Sequence, residues 1–185
     1  MRRLLLITGD LATGKTTFAD RLAVKYEVNV FHKDTIKEVL GDNIGFSNRE
    51  ENLILSRTTI ELMVFLFEEF AKLNKDVILE ANFHETELNR FQEIARKNGY
   101  QILTVVFRGE IETLHKRYCY RMEYENRHPV HLSTTMDRFA DFKDYIEKSR
   151  KEKIPGEVVH VDATDFSYQT QECLLGRIDR FFVGE

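Results

Sequence analysis

The residues of this sequence best suited to chemistry are Gly9-Asp10-Leu11-Ala12-Thr13-Gly14-Lys15-Thr16. They fit the pattern G-x-x-x-x-G-K-[ST] without a mismatch. The chemistry of that spacing is phosphate binding. Gly9 and Gly14 allow backbone angles and close approaches that a Cβ forbids, so the loop's N–H groups can converge on phosphate oxygens. The helix that follows adds the partial positive charge of its N-terminus. Lys15 is placed to reach the β- and γ-phosphates and the Thr16 hydroxyl to ligate Mg²⁺. Thr17 comes next and reads as a packing or capping residue at the edge of the same loop. The expected ligand is a nucleoside triphosphate, ATP with Mg²⁺, held by Gly9 to Thr17.

Three other places supply matching chemistry. The first is His32-Lys33-Asp34-Thr35-Ile36-Lys37. Asp34 could accept the proton of an attacking hydroxyl, and Lys37 could hold an anionic group on the acceptor. Asp34 could also cap a helix starting at Thr35, since Asp is a favoured N-cap. The second is Val77-Ile78-Leu79-Glu80-Ala81-Asn82. Glu80 closes an apolar run, where a carboxylate could hold Mg²⁺ through a water, and Asn82 could touch substrate or brace the site. The third is the arginine set. Arg117 and Arg121 share one helix face, and Arg127 follows just before Pro129. Converging arginines would neutralise charge that develops during phosphoryl transfer; spacing does not say which of the three does most. His128 and His131 lack a third ligand, so a metal there is not expected.

Short apolar runs must position these groups. They fall at Arg3–Thr8, Asn29–His32, Val77–Glu80, Ile102–Phe107 and Val158–Val161, each nearly uniformly apolar at its centre, as in strands covered on both faces. Helical patterns separate or follow them at Thr16–Lys25, Thr35–Leu40, Arg49–Leu73, Thr86–Asn98, Ile111–Glu125, Thr134–Lys151 and Tyr168–Phe182. In the third of these, Ile60, Val64, Phe67 and Ala71 recur at helical spacing; Phe65 and Phe70 also read as core. Gly99 is a natural helix stop. Strands alternating with helices predict a parallel, doubly wound α/β sheet with functional residues at the carboxyl ends of its strands.

The bulk numbers narrow the function. At 185 residues the chain is one domain's worth, and no linker, repeat or low-complexity tract divides residues 1–185. It is also too short for a typical helicase or motor core. A net charge of −4 argues against a protein whose main task is gripping nucleic acid. A GTPase should carry N-K-x-D after a strand; Asn74-Lys75-Asp76 lacks the Asp at that offset and precedes one. The apolar run after Arg2-Arg3 is too short for a secretory signal, no stretch is long enough to cross a membrane, and Cys119 and Cys173 form no C-x-x-C pair. A cytoplasmic enzyme with free thiols is the expectation.

The phosphate loop, Lys33-Asp34, Glu80-Ala81-Asn82 and Arg117, Arg121 and Arg127-His128-Pro129 together resemble the small P-loop kinases, AAA-type ATP-binding kinase domains. The resemblance is strongest to the group of the polynucleotide 5′-hydroxyl kinase domain, chloramphenicol phosphotransferase and zeta-toxin-like kinases. It implies a three-layer P-loop NTPase fold with a five-stranded parallel sheet and an arginine-bearing helical lid over about 111–150. It implies a general base at Asp34 and a phosphate-contacting arginine among Arg117, Arg121 and Arg127. Polynucleotide kinases tend to have Arg-Asp-Asp where this chain has Lys33-Asp34-Thr35, and Asp where it has Glu80, which turns the expectation away from a polynucleotide acceptor. The expected activity is transfer of the γ-phosphate of ATP to a hydroxyl of a small-molecule or nucleoside-type acceptor. A nucleoside, nucleotide or 5′-hydroxyl polynucleotide kinase is the nearest alternative, the first with a base pocket lined from Gly41–Arg49. A non-catalytic ATP-binding regulator is the alternative of another class.

Overall fold

The computed structural model describes residues 2–132 and 136–184. Its centre is a parallel sheet of β1 (Arg2–Gly9), β2 (Asn29–His32), β3 (Val77–Glu80), β4 (Tyr100–Arg108) and β5 (Glu157–Asp162), in the order β2-β3-β1-β4-β5. The helices are α1 (Lys15–Tyr26), α2 (Lys33–Ile44), α3 (Arg49–Lys72), α4 (Glu85–Asn98), α5 (Ile111–Tyr124), α6 (Phe139–Ser149) and α7 (Glu172–Val183). Two 3₁₀ turns, Pro129–His131 and Ser167–Thr170, complete the described elements.

The central strand shows why the strands read as unbroken apolar runs. Leu4 and Leu6 of β1 point into a core shared with Met63, Phe67 and Phe91 of α3 and α4. Leu5 and Ile7 point the other way, against Phe18 and Leu22 of α1 and Leu174 and Ile178 of α7. With helices on both faces neither side of the strand can be polar. The architecture is therefore the expected three-layer α/β/α sandwich. A smaller third core joins α5 to α6 through Leu114, Tyr118, Phe142 and Ile146, and Leu11 and Ala12 of the phosphate loop pack against it. The α5–α6 arm thus rests directly on the loop.

Element edges moved in a few places. Asp34 does not cap α2, because the helix starts at Lys33 with His32 in the cap position, so Asp34 lies inside the first turn. Phe65 is 54% exposed; it sits two residues from buried Phe67, about 200° around the helix. The segment expected to be one helix from Tyr168 divides into the second 3₁₀ turn and α7. Thr134, the expected start of the sixth helix, lies outside the described residues, and α6 occupies Phe139–Ser149. Gly99 ends α4 in the left-handed region at φ 67°, as its type suggested. Among the described residues no helix is long and apolar enough to cross a membrane.

Candidate active site

The loop after β1 runs along the carboxyl edge of the sheet into α1. Gly9 has φ 121°, and a Cβ there would fall 2.1 Å from the carbonyl oxygen of Phe107 in neighbouring β4. Asp10 N–H donates to that same carbonyl at 2.8 Å. The first glycine is therefore demanded by the sheet itself. Gly14, at φ 82°, precedes α1, and a Cβ on it would meet the Tyr168 hydroxyl at 2.6 Å. That hydroxyl donates to the Thr13 carbonyl at 2.9 Å, so the Ser167–Thr170 turn braces the loop from outside.

Lys15 is buried and folds back over the loop. Its Nζ donates to the Asp10 carbonyl at 2.5 Å and to the Gly9 carbonyl and Thr13 Oγ1 at 3.4 Å. Burial lowers its pKa; Glu80, Asp34 and Asp10 act in the opposite sense, and Arg121 adds to the lowering. The Asp10 side chain turns away from the loop's interior. Its carboxylate, 2% exposed, accepts from Arg150 Nη2 at 2.5 Å, from Arg150 Nε at 3.2 Å and from Gly109 N–H at 3.1 Å. The Asp10 main chain is engaged too, its N–H by the Phe107 carbonyl and its carbonyl by Lys15.

The Thr16 hydroxyl donates to Glu80 Oε2 at 3.2 Å. The same carboxylate oxygen is 2.9 Å from His32 Nδ1, and His32 Nε2 is 2.8 Å from Asp20 Oδ1. The parallel register explains this, since His32 of β2 and Glu80 of β3 are partners in the ladder. Burial would lower the His32 pKa, but its hydrogen bonds to Glu80 and Asp20 outweigh it and hold the imidazole above its ordinary value. Sequence reasoning passed over His32 because a histidine ending a strand carries no motif. The available signal was its place in the first strand-end segment, beside Lys33-Asp34.

Asp34 is exposed at the head of α2, and its carboxylate has no hydrogen-bond or salt-bridge partner among the described residues. It lines two adjoining cavities. One, about 350 Å³, includes Gly14, Lys15, Thr16, Glu80, Asn82 and Phe166. The other, about 620 Å³, includes Thr35, Glu38, Asn126, His128 and His131. Thr16, Thr17, Asp34, Arg121, Glu125 and Arg127 line both. Thr17 is exposed to this junction and is neither packed nor a cap, a correction to the role its position suggested. Asn82 lies in the first cavity with its Oδ1 buried and unpartnered among the described residues. Burial raises the pKa of Tyr145 on α6, as do Glu152 and Asp34.

The three arginines separate. Arg121 and Arg127 face the junction; Arg121 also pairs with Glu125 at 3.0 Å, and Arg127 has no carboxylate in salt-bridge range among the described residues. Arg117 lines neither cavity. Its guanidinium donates to the carbonyls of Ala163 and Thr164 at 2.8 and 2.6 Å and stacks over the Phe166 ring at 4.3 Å. Lys37 is also absent from both linings. It is buried, and Nζ donates to the Val130 carbonyl at 3.1 Å beside Asn52 Nδ2 at 2.9 Å. One turn beyond Asp34 on α2, its side chain falls on the face that packs against α3 and the Pro129–His131 turn, so it cannot hold an acceptor's anion. His128 and His131 instead pair with Asp42 and Glu38 at 2.9 and 2.8 Å.

The family model described as an AAA domain matches residues 4–148. Among solved structures, a protein described as a kinase from Chloroflexus aurantiacus superimposes at a TM-score of 0.81 with 24% identity, covering 97% of this chain and 98% of that one. The tunicamycin resistance protein of Deinococcus radiodurans gives 0.63 at 16% identity, covering 96% of each chain. Shikimate kinase from Aquifex aeolicus gives 0.59 at 14%, covering 98% and 99%. Set against curated proteins, the sequence finds no match. At such identities the structural likeness speaks for the fold, which is that of the P-loop kinases, as the motifs implied.

Proposed function

We propose, from the premise that this chain belongs to the AAA domain family, that it is an ATP:hydroxyl phosphotransferase, one acting on a small-molecule or nucleoside-type acceptor. The observation that carries the reading is the position of Asp34. A carboxylate with no partner among the described residues stands where the phosphate-loop cavity opens into a second chamber, which is where a base between donor and acceptor has to be. The loop suits a triphosphate: a glycine-based turn leads into a helix N-terminus with a lysine folded into its centre. Thr16 and Glu80 supply hard oxygen donors 3.2 Å apart, the donor type Mg²⁺ selects.

In this reading the loop of Gly9 to Thr17 holds the phosphates through the amides not already tied to the sheet, with Lys15 released from the Asp10 carbonyl to pair with them. Thr16 would hold Mg²⁺ directly and Glu80 through water, and the ion would neutralise phosphate charge. His32, tied to Asp20 behind it, fixes the Glu80 carboxylate. Asn82, on the lining of the first cavity, would touch the acceptor or brace the site. Asp34 orients the acceptor hydroxyl and takes its proton. Arg121 and Arg127 stabilise charge on the transferring group, while Arg117 holds the loop bearing Phe166 against the nucleotide side. The α5–α6 arm, about 111–150, would close as a lid and exclude water. One domain over 1–185 completes the proposal.

A nucleoside or nucleotide acceptor gains no support from the expected base pocket, because neither cavity is lined from residues 41–49. The regulator reading predicts ATP binding with no phosphorylated acceptor. The test is acceptor-dependent ADP formation with Mg²⁺ present. The wild-type protein should show it, and Lys15→Ala should lose both ATP affinity and turnover. An unchanged Lys15→Ala protein would remove the phosphate-loop role.

A further inference from the structure

The second chamber says what kind of acceptor fits, provided the phosphotransferase reading holds. Its volume of about 620 Å³ lies within the range of small-molecule sites. Among the described residues its lining contains no Phe, Tyr or Trp, so it lacks the flat apolar face on which a base stacks. Its charges also sort in one direction. Asp34, Glu38 and Glu125 are three carboxylates on the wall. The donors that would answer an anionic acceptor are each paired or turned toward the phosphate side. Arg121 is held by Glu125 at 3.0 Å and His131 by Glu38 at 2.8 Å. His128 is held by Asp42 at 2.9 Å, and Lys37 is buried under the Val130 carbonyl. Among the described residues that leaves Arg127, which also lines the phosphate-loop cavity and faces the charge of the transferring group. An acceptor bearing its own carboxylate or phosphate would meet a wall of three carboxylates against two guanidiniums, with Asp34 unpaired among the described residues and Arg127 turned to the transferring group, a mismatch that disfavours it. Hydroxyls and amines suit the same wall, because its carboxylates take hydrogen bonds from them.

We propose that the acceptor is an uncharged or amine-bearing sugar. In the transfer step the sugar hydroxyl oxygen forms the new bond to the γ-phosphorus while the bond to the ADP leaving group breaks. The hydroxyl proton passes to the Asp34 carboxylate.

The experiment is an ADP-release assay, with mass spectrometry of products, over matched panels. These are neutral hexoses and disaccharides, aminosugars, sugar acids and sugar phosphates, nucleosides, and a 5′-hydroxyl oligonucleotide. The expected result is a kcat/KM for at least one neutral or amine-bearing sugar that is tenfold or more above every other panel. Glu38→Gln, whose side chain lines the second chamber alone of the two, should raise the KM for that sugar several-fold and leave the KM for ATP unchanged. A preference for a carboxylate-, phosphate- or base-bearing acceptor would overturn the inference and leave the phosphotransferase reading standing. ATP binding without transfer to any panel member would overturn both.

Discussion

Truncating Asp10 to alanine should unfold the protein more readily while leaving the phosphate loop's amides in place. The carboxylate is 2% exposed and is the acceptor for two donors of Arg150 and for the Gly109 amide. Breaking a buried ion pair by removing one partner costs about 3–5 kcal/mol. Arg150 is 27% exposed, so water can re-solvate part of its guanidinium, which puts the loss at the lower end, about 3 kcal/mol. In a chain of this length each kcal/mol moves Tm by about 2–4 °C, which makes the expected shift about 6–12 °C. Asp10→Asn keeps an acceptor for Gly109 and should recover a substantial part of it. Thermal and urea unfolding measure the shift, and titration with ATP under folding conditions measures the rest. An Asp10→Ala protein with wild-type Tm and abolished ATP binding would refute the reasoning, because the carboxylate would then be a ligand group and not the tie between loop and arm.

The remaining expectations concern the groups around that loop. His32→Ala removes the donor between Glu80 and Asp20, and loss of such an orienting partner typically weakens metal binding about 10–100-fold; calorimetric titration of Mg²⁺ into the ATP complex should show at least the lower figure, and unchanged binding would dismiss the positioning role. Arg117→Ala should lower Tm and weaken ATP binding with kcat little changed, since its guanidinium serves the Ala163–Phe166 segment. Arg127→Ala should do the reverse, lowering kcat by about 10²–10³ as removal of a charge-stabilising donor does while Tm stays put. Swapped outcomes in steady-state kinetics and melting would reverse the two assignments.

Much of this fold was readable because it depends on local signals. The strand ends at Asn29–His32 and Val77–Glu80 and the helix stop at Gly99 match the structure, because apolar runs covered on both faces and a left-handed glycine cap leave marks in the chain itself. Phe65 was misjudged because helical periodicity was counted for its neighbours and not for it. The site divides on the same line. The phosphate loop, Asp34 and Glu80 follow strand ends, and topology alone brings strand ends together. The fates of Lys37 and Arg117 depend on which face of a helix meets which neighbour, and that is settled by the Val130 and Ala163–Phe166 backbones, distant in sequence. The tie of His32 to Glu80 and the Asp10–Arg150 pair were hidden for the same reason, since one rests on the β2–β3 register and the other spans 140 positions.

The most direct test of the central claim follows labelled phosphate from [γ-³²P]ATP into acceptor, comparing wild type with Asp34→Asn at matched ATP saturation. The account predicts a labelled acceptor with the wild-type protein, and a loss of transfer of about 10²–10⁴ in the variant, the span general-base catalysis supplies, with ATP affinity kept. Full transfer by Asp34→Asn, or label released only as free phosphate by the wild type with every acceptor, would contradict it.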